Sequence, residues 1–151
     1  MIMVSRILIV CLGNICRSPA ASAFFEAVIE NHELPCVVES AGIQALDNAQ
    51  ADPIVCGILK KKYDIDLSFH RSKQLQDSMM IENDLILVMT HKQQYYLETH
   101  YSYAIGKIYT LGKWRKADIL DHYGQSKKTF DENVLLIKEC VSDWTEKLWH
   151  V

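Results

Sequence analysis

The sequence predicts a single α/β domain, residues 1–151, with helices on both faces of a parallel sheet. Short apolar runs typical of buried strands alternate with segments of helical spacing. The chain is long enough for one domain with its own core, and 49% of its residues are hydrophobic, as in a folded globule. No linker, repeat or second domain is evident, and the crossovers between strands should be right-handed.

The first half of the chain predicts two strands and two helices. Ser18, as the capping residue, and Pro19, at the first helical position, form a normal helix start. Asp52 and Pro53 begin the second helix in the same way. The predicted order is a strand at 7–10, a helix from 18 to about 31, a strand at 36–39 and a helix from 52 to about 62.

The second half repeats this alternation. Residues 84–89 and 108–111 are apolar runs that predict strands. Thr90 with Gln93 predicts the start of a helix that ends near residue 100, and Thr129 with Glu132 predicts the start of a long last helix. Six residues of that last helix share one face at helical spacing and are expected in the core: Phe130, Val134, Ile137, Val141, Trp144 and Leu148.

Composition excludes several functions. The net charge is −3 without a basic stripe, so we expect no nucleic-acid partner. No apolar stretch approaches the ~20 residues needed to span a bilayer, and no signal peptide precedes the first strand, so we expect no membrane insertion. The odd count of five cysteines indicates reduced thiols in the cytoplasm. Cysteine and histidine spacing gives no metal site, and no cofactor is expected.

Residues 11–19, Cys-Leu-Gly-Asn-Ile-Cys-Arg-Ser-Pro, join the first strand to the first helix. Inward-pointing amides and a helix N-terminus bind anions, and the planar fork of Arg17 matches phosphate. Such surroundings favour the thiolate form of Cys11, which is then a nucleophile. Each part alone has an ordinary structural interpretation, but their combination in strand–loop–helix order predicts a phosphate pocket with a thiolate at its floor. We call residues 11–17 the phosphate loop.

With residues 10–19, the chain resembles the low-molecular-weight protein tyrosine phosphatases, whose signature is Val-Cys-x-Gly-Asn-Ile-Cys-Arg-Ser-Pro. The resemblance continues through residues 39–42, 51–53, 70–75 and 118–124 and covers essentially the whole chain. Details around Leu46 and residues 70–75 are similar to the bacterial branch that serves capsule and exopolysaccharide systems. The resemblance implies four parallel strands in the order 2-1-3-4, with the phosphate loop after strand 1.

The resemblance also implies hydrolysis of phosphotyrosine in two displacements. Cys11 attacks phosphorus to form a phosphocysteine that water then hydrolyses, while Arg17 stabilises the transition state and Ser18 donates a hydrogen bond to the sulfur. The residues expected around the phosphate are Leu12, Gly13, Asn14, Ile15, Cys16, Arg17 and Ser18.

A carboxylic acid must protonate the phenolate leaving group. By resemblance the donor is Asp121, in residues 118–124, which we call the aspartate loop; it belongs to a long stretch without periodicity, 112–128. The chain departs from the family pattern at His122, which stands where the family has a proline that would stiffen the loop. Asp118, three residues earlier, is the competing candidate.

Further roles follow from the resemblance. Asn14, Ser40 and His70 should brace the phosphate loop, with Asn14 in a left-handed conformation. Cys11 and Cys16 are expected to form a reversible disulfide that protects the nucleophile from further oxidation. The expected pocket walls are Leu12, Ile15, Leu46 and Tyr123, with Leu46 in a region where many relatives carry an aromatic residue. Apolar walls around a deep floor favour an aryl phosphate over phosphoserine.

The expected partner is a phosphotyrosine protein, in the bacterial branch a membrane tyrosine autokinase of polysaccharide export. Two alternatives of other classes remain. An arsenate reductase of the same fold needs two relay cysteines near the third strand, and residues 80–100 contain none. A non-catalytic phosphotyrosine-binding module would lose the nucleophile or the acid, whereas this chain retains Cys11 and Asp121.

Overall fold

Four parallel strands form the centre of the fold, in the order β2-β1-β3-β4. The computed structural model describes residues 3–151, so residues 1 and 2 of the predicted domain lie outside the described residues. The strands are β1 (Arg6–Cys11), β2 (Val37–Gly42), β3 (Leu85–Val88) and β4 (Ile108–Thr110). The predicted parallel sheet and its strand order are confirmed.

Five α-helices surround the sheet among the described residues. They are α1 (Arg17–Asn31), α2 (Pro53–Tyr63), α3 (Asp77–Glu82), α4 (His91–His100) and α5 (Lys127–Trp149), with short 3₁₀ turns at Ser102–Ala104 and Lys113–Arg115. The sequence predicted every one of these α-helices except α3, whose 6 residues are too few to show a helical period. Within residues 3–151, no helix has both the length and the apolar character needed to cross a membrane.

The two faces of the sheet bury separate apolar clusters, which confirms helices on both sides. Ile7 and Ile9 of β1 face the cluster that includes α1, α2 and α5, whereas Leu8 and Val10 face the cluster that includes α3 and α4. Because strand side chains alternate, a continuous apolar run in β1 is what burial on both faces requires. The predicted face of α5 lies in the first cluster, fully buried from Phe130 to Trp144 and half-buried at Leu148.

Two predicted helix starts are wrong. The α1 helix begins at Arg17, and the residue before it, Cys16, makes no side-chain capping bond. The hydroxyl of Ser18 lies instead 3.0 Å from the Cys11 sulfur, so contacts with the phosphate loop replace its capping role. At α5, Ser126 rather than Thr129 is the cap, since its Oγ accepts from the Thr129 amide, and the helix begins earlier than predicted.

Candidate active site

Cys11 ends the central strand β1 at the carboxyl edge of the sheet, between β2 and β3. The next two strands of the chain, β2 and β3, pair with β1 on opposite edges, and in parallel sheets such a switch point opens the crevice that binds ligands. The Cys11 side chain is buried, and its sulfur accepts a hydrogen bond of 3.2 Å from the amide of Asn14. The phosphate loop therefore turns at least one amide donor inward, toward the sulfur.

Arg17, the first residue of α1, is 95% buried, yet its guanidinium has polar partners in the aspartate loop. Nη1 donates to the Ile119 carbonyl across 2.8 Å, and Nη2 lies 3.9 Å from Oδ2 of Asp121. A buried guanidinium is costly unless its donors are paired, so these contacts fix the fork beside the phosphate loop. The Ile119 carbonyl has no sequence signal, because any residue could supply it.

The structure separates the two candidate acids. The carboxylate of Asp121 faces Arg17, remains 45% exposed and accepts the Tyr123 amide at 3.0 Å. Asp118 instead accepts the His91 amide at 3.1 Å and pairs with the ring Nδ1 of His91 at 2.8 Å. The aspartate loop thus presents Asp121 to the phosphate loop and holds Asp118 against the start of α4.

Asn14 joins the phosphate loop to its surroundings through every polar group of its side chain. It has a φ of 58°, and its Nδ2 donates to Ser18 Oγ at 2.8 Å and to Ser40 Oγ at 2.9 Å. Its Oδ1 accepts the Lys73 amide at 3.0 Å, and its main-chain carbonyl lies 2.7 Å from Nε2 of His70. These bonds offset the energetic cost of the left-handed backbone conformation, which residues other than glycine rarely adopt.

Two titratable groups of this region have shifted pKa values. Burial raises the pKa of the Cys16 thiol to about 12, and the nearby carboxylate of Asp52 adds to the shift. Burial also lowers the pKa of His70, and its bond to the Asn14 carbonyl opposes this only in part. At neutral pH Cys16 is therefore a protonated thiol and His70 a neutral ring that can donate to Asn14.

Gly42, the last residue of β2, lies so close to neighbouring atoms that a larger residue would not fit. It was assigned no role from the sequence. A Cβ there would lie 2.6 Å from the Leu12 carbonyl oxygen and 2.8 Å from the Ala45 Cβ. Gly13, inside the phosphate loop, would meet only an ordinary contact of 3.8 Å with Ile15. The shape of the loop at this point thus depends on Gly42, whose only sequence signal was its place in segment 39–42.

The expected pocket-wall residues remain accessible: Leu12 is 42%, Leu46 81% and Tyr123 65% exposed, and Ile15 is half-buried. The loop that carries Leu46 is held by two residues that sequence reasoning missed. In the side chain of Gln74, Oε1 accepts from the Ala45 N–H at 2.8 Å and Nε2 donates to the Ile43 carbonyl at 2.7 Å. The Ser72 hydroxyl donates to the Leu46 carbonyl. Both lie in segment 70–75, which the sequence singled out without assigning these contacts.

The described residues contain no group of three or more His, Cys, Asp or Glu side chains that could hold a metal ion. Comparison with known proteins identifies the family of the chain. The family model for low molecular weight phosphotyrosine protein phosphatases matches residues 6–150. The chain belongs to this family. It is a protein-tyrosine phosphatase, as the resemblance of its signature segment predicted.

Relatives of this phosphatase are similar along nearly their whole length. It is 38% identical over 143 residues to the low molecular weight protein-tyrosine-phosphatase Ptp of Acinetobacter johnsonii, covering 95% of this chain and 97% of the relative. It is 37% identical over 147 residues to a probable low molecular weight protein-tyrosine-phosphatase, EpsP, of Ralstonia nicotianae, covering 97% of each. A protein-arginine-phosphatase of Bacillus subtilis is 35% identical over 140 residues, covering 88% of this chain and 92% of the relative.

Solved structures agree with the fold. Wzb of Vibrio vulnificus, determined in complex with benzylphosphonate, superposes on this phosphatase with a TM-score of 0.88 at 35% sequence identity. The match covers 95% of this chain and 99% of the Wzb chain. The arsenate reductase alternative is not supported, since β3 and the residues that follow it up to residue 100 contain no cysteine and Cys140 is fully buried in α5.

Proposed function

We propose that this phosphatase hydrolyses phosphotyrosine in proteins through a phosphocysteine formed on Cys11. The observation that carries the proposal is the sulfur of Cys11 in the phosphate loop, 3.2 Å from the Asn14 amide and 3.0 Å from the Ser18 hydroxyl. In the first displacement the sulfur forms a bond to phosphorus while the bond from phosphorus to the phenolic oxygen breaks. In the second, water attacks phosphorus and the thiolate leaves.

Asp121 serves both displacements. Its protonated carboxyl gives a proton to the departing phenolate, and the resulting carboxylate takes a proton from the attacking water. Its position 3.9 Å from the Arg17 guanidinium and its partial exposure support this role, because the group must reach both the leaving group and water. Asp118 is a weaker candidate, since His91 already engages its carboxylate.

Arg17 and the loop amides act on the phosphoryl oxygens. The charge of the transition state spreads over three equatorial oxygens, and preorganised donors stabilise it without reorganisation. Arg17 is preorganised by its bond to the Ile119 carbonyl, which leaves donors of the fork for the phosphate. The residues proposed to surround the phosphate are those of the sequence-based set, Leu12 to Ser18, around Cys11.

Ser18 is proposed to assist the second displacement. Its oxygen accepts from Asn14 Nδ2, so its own proton is available to the Cys11 sulfur at 3.0 Å. A hydrogen bond to the thiolate stabilises it as a leaving group. Ser40 and His70 are positioning residues that act through Asn14, and their contacts keep the amide of Asn14 directed at the sulfur.

The proposed substrate is the phosphorylated chain of a bacterial tyrosine autokinase of polysaccharide export, and the proposed location is the cytoplasm. The resemblance to the capsule and exopolysaccharide branch supports this, as do the relatives named EpsP and Wzb. The exposed side chains of Leu12, Leu46 and Tyr123, which are proposed as the pocket walls, support an aryl phosphate as substrate.

Phosphoarginine is the second candidate substrate, because one relative of comparable identity is a protein-arginine-phosphatase. Hydrolysis of p-nitrophenyl phosphate by the wild type and Cys11→Ser, with vanadate as inhibitor, tests the phosphatase chemistry. Peptides that carry phosphotyrosine, phosphoarginine or phosphoserine then test the substrate. We expect phosphotyrosine to have the highest kcat/KM, and preference for phosphoarginine would replace the proposed substrate while keeping the mechanism.

A further inference from the structure

A groove of about 510 Å³ lies beside the phosphate loop, between the loop that follows β2 and the start of α4. Leu12 and Ile43 form one side and Lys92 and Tyr96 the other, so we call it the Leu12 groove. Its volume is enough for one or two amino-acid side chains. The mechanism above uses Leu12 as a pocket wall and leaves the rest of the groove without a role.

Hydrogen bonds hold both sides of the Leu12 groove in place. The Ile43 amide donates to the Cys11 carbonyl and the Gln44 amide to the Leu12 carbonyl, each at 2.9 Å. The side chain of Gln74 donates to the Ile43 carbonyl at 2.7 Å. On the opposite side, Gln93 accepts the Met89 amide at 2.9 Å. The groove is therefore preformed, so a ligand would not have to order its walls.

The groove adjoins the phosphate loop, because Leu12 lines the groove and directly follows Cys11 in the chain. A polypeptide advances at most about 3.6 Å per residue, so residues within three positions of a bound phosphotyrosine can reach the groove. This step rests on the proposed function, which places the phosphotyrosine of a protein substrate against Leu12.

The chemistry of the lining favours an acidic occupant with an apolar stem. Leu12, Ile43 and Tyr96 supply apolar surface, and Lys92 supplies a positive charge. None of the lining residues in the described part of the chain carries a carboxylate. The nearby carboxylate of Asp118 is engaged by His91, the neighbour of Lys92, and does not line the groove.

We propose that the Leu12 groove is a substrate subsite that binds a glutamate or aspartate one to three positions from the phosphotyrosine. Lys92 pairs with the acidic group at the rim, while Leu12 and Tyr96 cover the stem of the side chain. The subsite selects among phosphotyrosine sequences and takes no part in the reaction at phosphorus. An exposed ion pair of this kind is screened by salt.

The test uses phosphotyrosine peptides in which glutamate or lysine is placed at each of the three positions on either side. Wild-type enzyme should show about threefold higher kcat/KM for glutamate at the position that reaches the groove, the size expected of an exposed ion pair. Lys92→Glu should reverse that preference, and raised salt should diminish it. The matched control is Lys61→Glu, an equal charge change on α2, which lies on the opposite face of the sheet.

All three enzymes should hydrolyse p-nitrophenyl phosphate at the same rate, since that substrate does not reach the groove. Equal kcat/KM for every peptide, or the same preference in Lys92→Glu as in wild type, would overturn the subsite and leave the phosphatase mechanism standing. Failure to hydrolyse any phosphotyrosine peptide, with p-nitrophenyl phosphate cleaved normally, would overturn the proposed substrate and the subsite together.

Discussion

The guanidinium of Arg17 donates a hydrogen bond of 2.8 Å to the main-chain carbonyl of Ile119. This bond joins the phosphate loop to the aspartate loop across 102 positions of sequence. Ile119 lies two residues before Asp121, so the bond fixes the position of the proposed phosphate-binding group relative to that of the proposed acid. A lysine could not replace Arg17, because a single ammonium group cannot donate to the Ile119 carbonyl and also present two parallel N–H donors to phosphate.

Asp121→Asn should lower kcat for aryl phosphates by about 10²–10³-fold, because the amide cannot protonate the leaving group. The loss should be larger for phenols that leave poorly, which need the proton most. Asp118→Asn is the matched control and should retain near-wild-type kcat, since Asp118 contacts His91 rather than Arg17. Steady-state rates on a series of aryl phosphates measure both, and an inactive Asp118→Asn with an active Asp121→Asn would reverse the assignment.

Ser18→Ala should slow the second displacement more than the first, because it removes the hydroxyl 3.0 Å from the leaving sulfur. A burst of phenol release before the steady state would show the phosphocysteine accumulating. The control is Ser22→Ala, which removes another buried hydroxyl one turn further along α1. Absence of a burst in Ser18→Ala, with unchanged turnover, would limit Ser18 to a structural role.

The shifted pKa of His70 predicts that stability falls in acid. Burial lowers this pKa below its usual 6.5, so between the two values the unfolded chain binds the proton more readily than the folded one. Stability from neutral His70 is complete above about pH 6.5 and is lost as pH falls toward the folded pKa. Thermal unfolding from pH 8 to 5 should show a steeper loss in wild type than in His70→Gln. Parallel curves would contradict this.

Gly42→Ala should destabilise the protein by about 1–3 kcal/mol, because the new Cβ overlaps the Leu12 carbonyl and Ala45. The phosphate loop must shift to relieve the contact, so kcat should also fall. Gly57→Ala in α2 is the control of opposite sign: no atom lies within 4 Å of its Cβ, and alanine favours a helix by about 0.5–1 kcal/mol. Denaturant unfolding measures the stability of both variants, and steady-state turnover measures their activity. A Gly42→Ala variant as stable and active as the wild type would contradict the prediction.

Cys16 should protect Cys11 during oxidation. Peroxide oxidises the Cys11 sulfur to a sulfenic acid, and the Cys16 thiol then displaces water to form the disulfide. Since burial keeps Cys16 protonated, with a pKa of about 12, we expect this second step to accelerate as pH rises. After peroxide and then dithiol, Cys16→Ser should regain less activity than wild type. Equal recovery at every peroxide dose would exclude the protective role.

The sequence by itself determined the parts of this protein that are encoded locally. The α/β fold was predicted from the apolar runs of β1 and β3 and from the helical spacing of α5. A strand that is buried on both faces and a helix that is buried along one stripe each leave a recognisable pattern of apolar residues in the local sequence. Residues 11–19 gave the phosphate loop in the same way. The short helix α3 escaped this reasoning because its 6 residues are too few to show a helical period. The starts of α1 and α5 escaped it because the predicted and the observed caps lie only two or three residues apart.

Tertiary structure alone decided which groups meet across the chain. The resemblance favoured Asp121 over Asp118, and only the tertiary structure shows that Asp121 faces Arg17 whereas Asp118 is bound to His91. The hydroxyl of Ser18 serves the sulfur rather than the helix for a similar reason, since Asn14 and Cys11 surround it in the folded protein. Such bonds join residues whose separation along the chain carries no periodic signal, so their geometry exists only once the sheet and its helices have packed.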